Sequence, residues 1–151
     1  MFRGISHITV DTKGRLAMPA KYRDAIAESA GGQIIITVDH MDKCLLIYPM
    51  DQWLKVEKTL MSLPNMDRRV RRMQRLIQGH ASDMELDAQG RVLLPAPLRE
   101  YAGIDKHVVL VGQANKFELW DADLWEAARE SWLLEAQEDD ETNEVLSQVS
   151  M

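Results

Sequence analysis

The segment ITVDTKGRLAMPAKYR, residues 8–23, is repeated as MELDAQGRVLLPAPLR at residues 84–99. At an offset of 76 residues the two segments share six identities in sixteen positions. The identical pairs are Asp11/Asp87, Gly14/Gly90, Arg15/Arg91, Pro19/Pro95, Ala20/Ala96 and Arg23/Arg99. The repeat resumes at an offset of 72, where LLIYPMDQW (45–53) matches FELWDADLW (117–125). The chain therefore holds two copies of one small β-rich unit.

Each copy has the same predicted order of elements: strand, turn, strand, helix, two strands and a helix. Asp-x-x-Gly predicts a turn, because aspartate accepts backbone N–H bonds and glycine adopts a positive φ at low cost. A proline begins each following helix and a glycine lies beyond its end. The first copy is predicted to contain strands at 5–10, 15–18, 34–38 and 45–48 and helices at 19–29 and 51–61. The second is predicted to contain strands at 83–87, 91–94, 107–111 and 117–120 and helices at 96–102 and from Asp121.

These patterns divide the chain into a first repeat (1–62), a linker helix (63–81), a second repeat (82–130) and an acidic C-terminal tail (131–151). The linker is amphipathic, with an apolar side formed by Val70, Met73, Leu76 and Ile77. Its remaining positions carry five arginines, Arg68, Arg69, Arg71, Arg72 and Arg75. After about Glu135 the helical pattern ends, and we expect a mobile tail.

Charge is unevenly distributed along the 151 residues, whose net charge is −6. Residues 126–151 hold eight acidic residues and one basic residue, Arg129, so the rest of the chain carries +1. Affinity for phosphate follows the local field, so this composition does not exclude DNA. The single Cys44 and the absence of any export or membrane segment favour a cytoplasmic protein.

The arginine that ends each Asp-x-x-Gly-Arg turn is the leading functional candidate. A guanidinium at a defined angle donates bidentately to a phosphate, or to the O6 and N7 atoms of guanine in the major groove. Lys13 suits a phosphate, and Gln89 suits a base edge or a phosphate. The alternative is that each Asp/Arg pair is only a local ion pair that fixes its turn. Because turn geometry alone does not require arginine to recur with aspartate and glycine, the duplication favours function.

The remaining arginines and the histidines fit structural roles at least as well as binding roles. The five linker arginines fit phosphate contacts, but they equally fit a helix face that is solvated or paired with acidic segments of a neighbouring subunit. Arg23 and Arg99 fit a scaffold role, paired with Asp24, Glu100 or the turn carboxylates. The histidines show no metal-ligand spacing with one another or with Cys44. We find no catalytic arrangement, and we expect no enzyme activity, no cofactor, no metal and no small-molecule substrate.

The paired turns, the linker running into GHAS (79–82) and the stretch GQANKFELWD (112–121) resemble the MraZ family of bacterial transcriptional regulators. The resemblance covers roughly residues 1–125. It implies an α+β fold of the AbrB-like group: a duplicated swapped-hairpin β-barrel, a pseudo-dimer in one chain, with short flanking helices. It also implies a homo-oligomeric closed ring that presents its turns to double-stranded DNA.

Carried onto this sequence, the resemblance gives DNA-facing positions Asp11, Lys13, Gly14, Arg15, Asp87, Gly90 and Arg91, with Gln89 where the first turn has Lys13. It further implies sequence-specific binding to short repeated promoter sites of the division and cell-wall gene cluster, including the protein's own promoter, and association with the nucleoid. Two alternatives stay open. One is a ring-forming module whose turns or tail bind a protein, and the other is a nucleoid protein with little sequence preference.

Overall fold

The computed structural model describes residues 1–138 and 140–149, which form two compact units, one of residues 1–121 and one that begins at Ala122. The first unit contains β1 (Phe2–Thr9), β2 (Arg15–Ala17), α1 (Ala20–Ala30), β3 (Gln33–Val38), β4 (Leu45–Pro49), α2 (Met50–Ser62), α3 (Arg68–Ile77), β5 (Ser82–Glu85), β6 (Arg91–Leu93), α4 (Ala96–Ala102), β7 (His107–Ala114) and β8 (Lys116–Asp121). The second contains α5 (Ala122–Glu138) and α6 (Asp140–Leu146). Among the described residues, no helix is both long enough and apolar enough to cross a membrane.

The strands exchange between the two repeats. β1 pairs with β7, and its repeat counterpart β5 pairs with β3, so each repeat lends its first strand to the third strand of the other. β4 pairs with β8, and β2 pairs with β6, so each of these two pairs joins equivalent strands of the two repeats. The fold is therefore mixed α+β with antiparallel pairing throughout, and the two repeats are interleaved rather than independent.

The expected closed barrel is not confirmed in the part of the chain that the structure describes. The strands of the described chain form an open six-stranded sheet, in the order β1-β7-β8-β4-β3-β5, and a separate two-stranded sheet of β2 and β6. The physical reason lies at the duplicated turns: the strands on either side of each turn join different sheets. Within residues 1–138 and 140–149, no ladder therefore joins edge strands β1 and β5 to close the larger sheet.

Two cores cover opposite faces of the large sheet. Along β3, alternation directs Ile34 and Ile36 into the first core and Ile35 into the second. The first core also receives Leu16 of β2 and Val92 of β6, so the two-stranded sheet lies over that face. The second core is formed with α2 and α3 over the other face, where Thr37 Oγ1 donates to the Ile77 carbonyl at 2.6 Å.

The helices between the strands begin and end where the sequence predicts. α1 follows Pro19 and ends at Gly31, with φ +62°, and α4 follows Pro95 and ends at Gly103, with φ +63°. In both, the left-handed glycine donates its backbone N–H to carbonyls of the last turn. α3 is shorter than the predicted linker helix (63–81): it runs from Arg68 to Ile77, and the Asp67 side chain caps it by accepting from the Arg69 N–H at 2.8 Å.

The prediction that regular structure ends near Glu135 was wrong for the residues that the structure describes. α5 continues to Glu138, and α6 follows within the segment predicted as a tail. Glutamate, alanine, leucine and glutamine are strong helix formers, so an acidic composition does not by itself indicate irregular chain. The parts of the tail at positions 139, 150 and 151 lie outside the described residues.

Candidate nucleic-acid interface

The first turn is closed by Asp11 through both its backbone and its side chain. Gly14 N–H donates to the Asp11 carbonyl at 3.0 Å, and Asp11 N–H donates to the Arg15 carbonyl at 2.8 Å. Asp11 Oδ1 accepts from the backbone N–H of Lys13 at 2.9 Å and of Arg15 at 2.8 Å. Gly14 has a φ of +86°. It is the left-handed residue that completes a tight turn with a glycine bulge.

The aspartate also orients the arginine. Arg15 Nε donates to Asp11 Oδ2 at 2.8 Å, and the two side chains are 31% and 39% exposed. Within residues 1–138 and 140–149, the terminal Nη atoms of Arg15 donate to no protein acceptor. The local ion pair raised as an alternative is therefore present, but it occupies only the Nε–H. It leaves the outer edge of the guanidinium available to a ligand.

The second turn repeats this geometry. Asp87 Oδ1 accepts from Gln89 N–H at 2.9 Å and from Arg91 N–H at 2.8 Å, and Oδ2 accepts from Arg91 Nε at 2.9 Å. Gly90 has φ +74°. One difference separates the turns: Arg91 Nη2 donates to Gln89 Oε1 at 3.3 Å, whereas Lys13 at the matching position of the first turn carries no acceptor.

Both turn carboxylates are held in their charged form. The backbone N–H of Arg15 lowers the pKa of Asp11 below its usual value, and the Arg15 side chain and the Lys13 N–H contribute in the same direction. For Asp87 the backbone N–H of Arg91 is the main cause of the lowered pKa. Hydrogen bonds to a carboxylate favour its ionised state, so both Asp/Arg pairs stay ionised at neutral pH.

The β2–β6 ladder brings the two arginines to one surface. Arg15 pairs with Leu93, and Ala17 pairs with Arg91. Directly paired residues point to the same side, so these four side chains share one face, which we call the turn face. Leu16 and Val92 point the other way into the first core. From strand spacing, the Arg15 and Arg91 Cα atoms lie about 8 Å apart on the diagonal.

Arg23 and Arg99 support the turns from the opposite repeat. Arg23 Nε donates to the Met18 carbonyl at 2.7 Å, and a Cβ added to Gly90 would lie 2.3 Å from the same Nε. In the mirrored position, Arg99 Nε donates to the Leu94 carbonyl at 3.2 Å and its guanidinium lies against Gly14. The scaffold role expected for both is consistent with this geometry, but their partners are backbone carbonyls rather than Asp24, Glu100 or the turn carboxylates.

The five linker arginines belong to a different surface. All five are exposed on α3, and one of them, Arg69, pairs with Asp67 at 3.0 Å. The apolar side of α3 contributes Met73 and Ile77 to the second core. Because β2 and β6 pack against the first core, α3 and the turn face lie on opposite faces of the large sheet. The structure therefore does not bring these arginines together with Arg15 and Arg91.

Comparisons with known proteins agree with this arrangement of two repeats. The family model described as "MraZ protein, putative antitoxin-like" matches residues 1–76 and again residues 77–146. The second match extends beyond the resemblance seen in the sequence, which reached about residue 125.

Three curated relatives carry the name "Transcriptional regulator MraZ". The protein from Thioalkalivibrio sulfidiphilus is 57% identical over 151 residues, which is all of both chains. The protein from Hydrogenovibrio crunogenus is 53% identical over 150 residues, 99% of this chain and 98% of its own. The protein from Alkalilimnicola ehrlichii is 50% identical over 139 residues, 92% and 93% of the two chains. With both repeats matched along nearly its whole length, the chain belongs to the MraZ family.

Proposed function

We propose that this chain is a DNA-binding transcriptional regulator that reads a specific sequence through the turn face. The observation that supports this most strongly is the pair of pre-oriented arginines, Arg15 and Arg91, on one exposed ladder. The names of the relatives point in the same direction, since they are transcriptional regulators. Arg15, Lys13 and Arg91 are the proposed contacts, and Asp11, Asp87, Gly14 and Gly90 set their geometry.

The chemistry of the turns suits base readout as well as phosphate contact. The Nε–Oδ2 bond fixes each guanidinium plane before DNA arrives, so less rotamer entropy is lost on binding. A guanidinium whose outer edge is available can donate two bonds to guanine, worth about 1–3 kcal/mol of discrimination. The roughly 8 Å diagonal between the arginines spans about two base-pair steps of 3.4 Å each.

We further propose that the protein acts as a homo-oligomer, arranged as a closed ring. Two arginine contacts of about 1–3 kcal/mol each are insufficient to select a promoter among the sites of a genome. Joining several turn faces on one rigid assembly makes later contacts intramolecular, which raises overall affinity by orders of magnitude. Repeated subunits then match repeated sites, which we place upstream of the division and cell-wall genes, including the protein's own. This function locates the protein in the cytoplasm, with the nucleoid, and requires no cofactor or small-molecule substrate.

The test is a gel-shift titration on DNA upstream of the protein's own gene, with an unrelated fragment as competitor. The Arg15→Ala/Arg91→Ala double variant should lose specific retardation while it keeps its fold and its oligomeric state by light scattering. Arg71→Ala/Arg72→Ala is a charge-matched control, since it removes the same two positive charges from α3. If the control variant weakens binding at all, it should do so to the same extent for both DNA fragments. It should keep the preference for the promoter fragment.

Two outcomes would contradict this function. If the folded, oligomeric wild type shows no preference for the promoter fragment, the result favours the alternative of a ring-forming module that binds a protein. If the turn-face double variant keeps full preference, the contacts lie elsewhere. A strictly monomeric wild type at micromolar concentration would remove the ring from the proposal but not the turn face.

A further inference from the structure

A second constellation of polar side chains lies at the β3–β4 loop, away from the turn face. The loop is closed on itself: Asp39 N–H donates to the Cys44 carbonyl at 3.1 Å, and Cys44 N–H donates to the Asp42 carbonyl at 2.9 Å. Asp42 N–H also donates to Asp39 Oδ2 at 3.0 Å. These bonds hold the Asp39 carboxylate beside the Cys44 thiol, with 3.9 Å between Sγ and Oδ2.

The third member of the set comes from the other repeat. Leu46 of β4 pairs with Glu118 of β8, and strand alternation places Cys44 on the same face as Leu46. Ligand atoms of Asp39, Cys44 and Glu118 consequently all lie within 4.8 Å of one another. Trp120 Nε1 donates to Glu118 Oε1 at 3.0 Å, which fixes the orientation of that carboxylate. The sequence analysis expected no metal and did not find this set, because Glu118 is 74 residues from Cys44 and only the fold brings them together.

The cluster has acceptors but no strong cation. Cys44 is fully buried, and the Asp39 side chain is only 15% exposed. In the part of the chain that the structure describes, no lysine or arginine forms an ion pair with Asp39 or Glu118. A basic side chain close to the cluster is that of His40, whose Nδ1 lies 3.8 Å from Asp39 Oδ1. Partly buried carboxylates are normally paired with a cation or bound to a metal. Among the described residues, the carboxylates of Asp39 and Glu118 therefore lack the strong positive charge that such groups usually have nearby.

We propose that Asp39, Cys44 and Glu118 form a binding site for a divalent transition-metal ion of the zinc type, with His40 as the fourth ligand. Sulfur, carboxylate oxygen and imidazole nitrogen together are ligands of Zn²⁺, whereas Mg²⁺ and Ca²⁺ take oxygen alone. Tetrahedral Zn²⁺ with bonds of about 2.0–2.3 Å separates its ligand atoms by about 3.3–3.6 Å. The ligand atoms of Asp39, Cys44 and Glu118, all within 4.8 Å of one another, approach that spacing through side-chain rotation, whereas His40, 3.8 Å from Asp39, must turn toward the cluster to join it. On binding, the thiol proton passes to bulk water and the thiolate bonds to the metal.

The consequence is a link between the two repeats. Asp39, His40 and Cys44 belong to the first repeat and Glu118 to the second, so the ion joins the β3–β4 loop to β8. A ligand that binds only the folded chain stabilises it by mass action. At a free Zn²⁺ concentration about 100 times the Kd, the Tm should rise by about 5–10 °C.

The experiment uses the full-length chain, free of any affinity tag, treated with chelator and then titrated with Co²⁺ as the probe. Cys44 is the only cysteine, so a thiolate-to-cobalt absorption band can arise from no other residue. The band should saturate at about one ion per chain, and it should be displaced by Zn²⁺. Thermal unfolding with and without Zn²⁺ provides a second, independent measurement.

Three variants keep the proposal open to refutation. Cys44→Ser should abolish the band and the Zn²⁺-dependent rise in Tm, and Glu118→Gln, which keeps an oxygen for Trp120, should weaken Co²⁺ binding at least tenfold. Glu85→Gln is the matched control, an exposed carboxylate of β5, and it should behave as wild type. A folded wild type with no band, or equal Tm shifts in wild type and both cluster variants, would overturn the site. Because the readouts are spectroscopic and thermal, failure here is separate from any failure in DNA binding.

Discussion

The contact between Gly90 and Arg23 can be measured as a coupling free energy. Gly90 has φ +74°, and its backbone is packed so closely that a Cβ would lie 2.3 Å from Arg23 Nε and 2.5 Å from Arg23 Cδ. Arg23 Nε donates at 2.7 Å to the Met18 carbonyl, and Met18 N–H donates at 2.8 Å to the Gly90 carbonyl. Gly90→Ala therefore introduces backbone strain and also displaces the arginine that braces the turn.

The two costs can be separated. A non-glycine residue in the left-handed region costs about 1–2 kcal/mol. Displacing Arg23 loses a hydrogen bond from a charged donor, worth about 1.5–3 kcal/mol. Gly90→Ala should then lower the free energy of unfolding by about 2.5–5 kcal/mol. Gly31→Ala is the control, since Gly31 has φ +62° and nothing lies within 4 Å of its added Cβ. It should cost only about 1–2 kcal/mol.

A double-mutant cycle with Arg23→Ala isolates the contact. Without the arginine, Gly90→Ala should cost only its backbone strain, so the coupling should be about 1.5–3 kcal/mol. Urea unfolding followed by tryptophan fluorescence gives each free energy, provided the m-values agree. If Gly90→Ala costs no more than Gly31→Ala, or costs the same with and without Arg23, the contact does not brace the turn and the reasoning fails.

Two further predictions concern the turn carboxylates and the second core. Asp11→Asn/Asp87→Asn keeps an acceptor for the backbone but removes the ion pairs, so it should strengthen non-specific binding, steepen the salt dependence and reduce promoter discrimination in competition gel shifts. Folding lowers the pKa values of Asp11 and Asp87 below their ordinary value. The stability that their negative charges contribute is therefore complete above the pKa of the unfolded chain, and it is lost only as the pH falls through the lower pKa of the folded chain. Anisotropy titrations should therefore show a constant difference between this variant and wild type from about pH 5.5 to 8, and a change in that window would contradict the ion-pair geometry. Thr37→Val should cost about 1–3 kcal/mol in urea unfolding, because it leaves the buried Ile77 carbonyl without its donor, whereas Thr59→Val on the exposed side of α2 should cost little; equal costs would show that the buried bond is unimportant.

Features decided within a few residues could be predicted from the sequence. Asp11, Gly14 and Arg15 form their turn among themselves, so their geometry depends on local hydrogen bonds and on the φ freedom of glycine. The helix limits at Pro19 and Gly31 are local for the same reason. The repeat then transferred each of these predictions to the second copy.

Features that depend on pairing between distant segments could not be predicted from the residue pattern alone. The exchange of β1 and β5 between repeats was expected only from the family resemblance, which implied a swapped-hairpin pseudo-dimer, because alternation along one strand does not identify its partner. For the same reason the sequence showed Arg23 as a helix residue near Asp24, and only the fold places it against Gly90. α5 was predicted from Asp121, but its last residues and α6 were missed for a different reason, because negative charge was weighed above helix propensity.

The pseudo-symmetry of the turn face is incomplete, and this bears on how it meets DNA. Arg15 keeps both Nη atoms available beside Lys13, whereas Arg91 gives one Nη2 bond to Gln89. The first turn therefore presents more positive charge and more unused donors than the second. A symmetric face would bind a site in either orientation with equal free energy, but the proposed contact of this face with DNA would differ between its two ends. Under the proposed function, an array of such faces should bind best to repeats that all point the same way along the DNA, because every subunit would then place its stronger turn on the same half of each repeat.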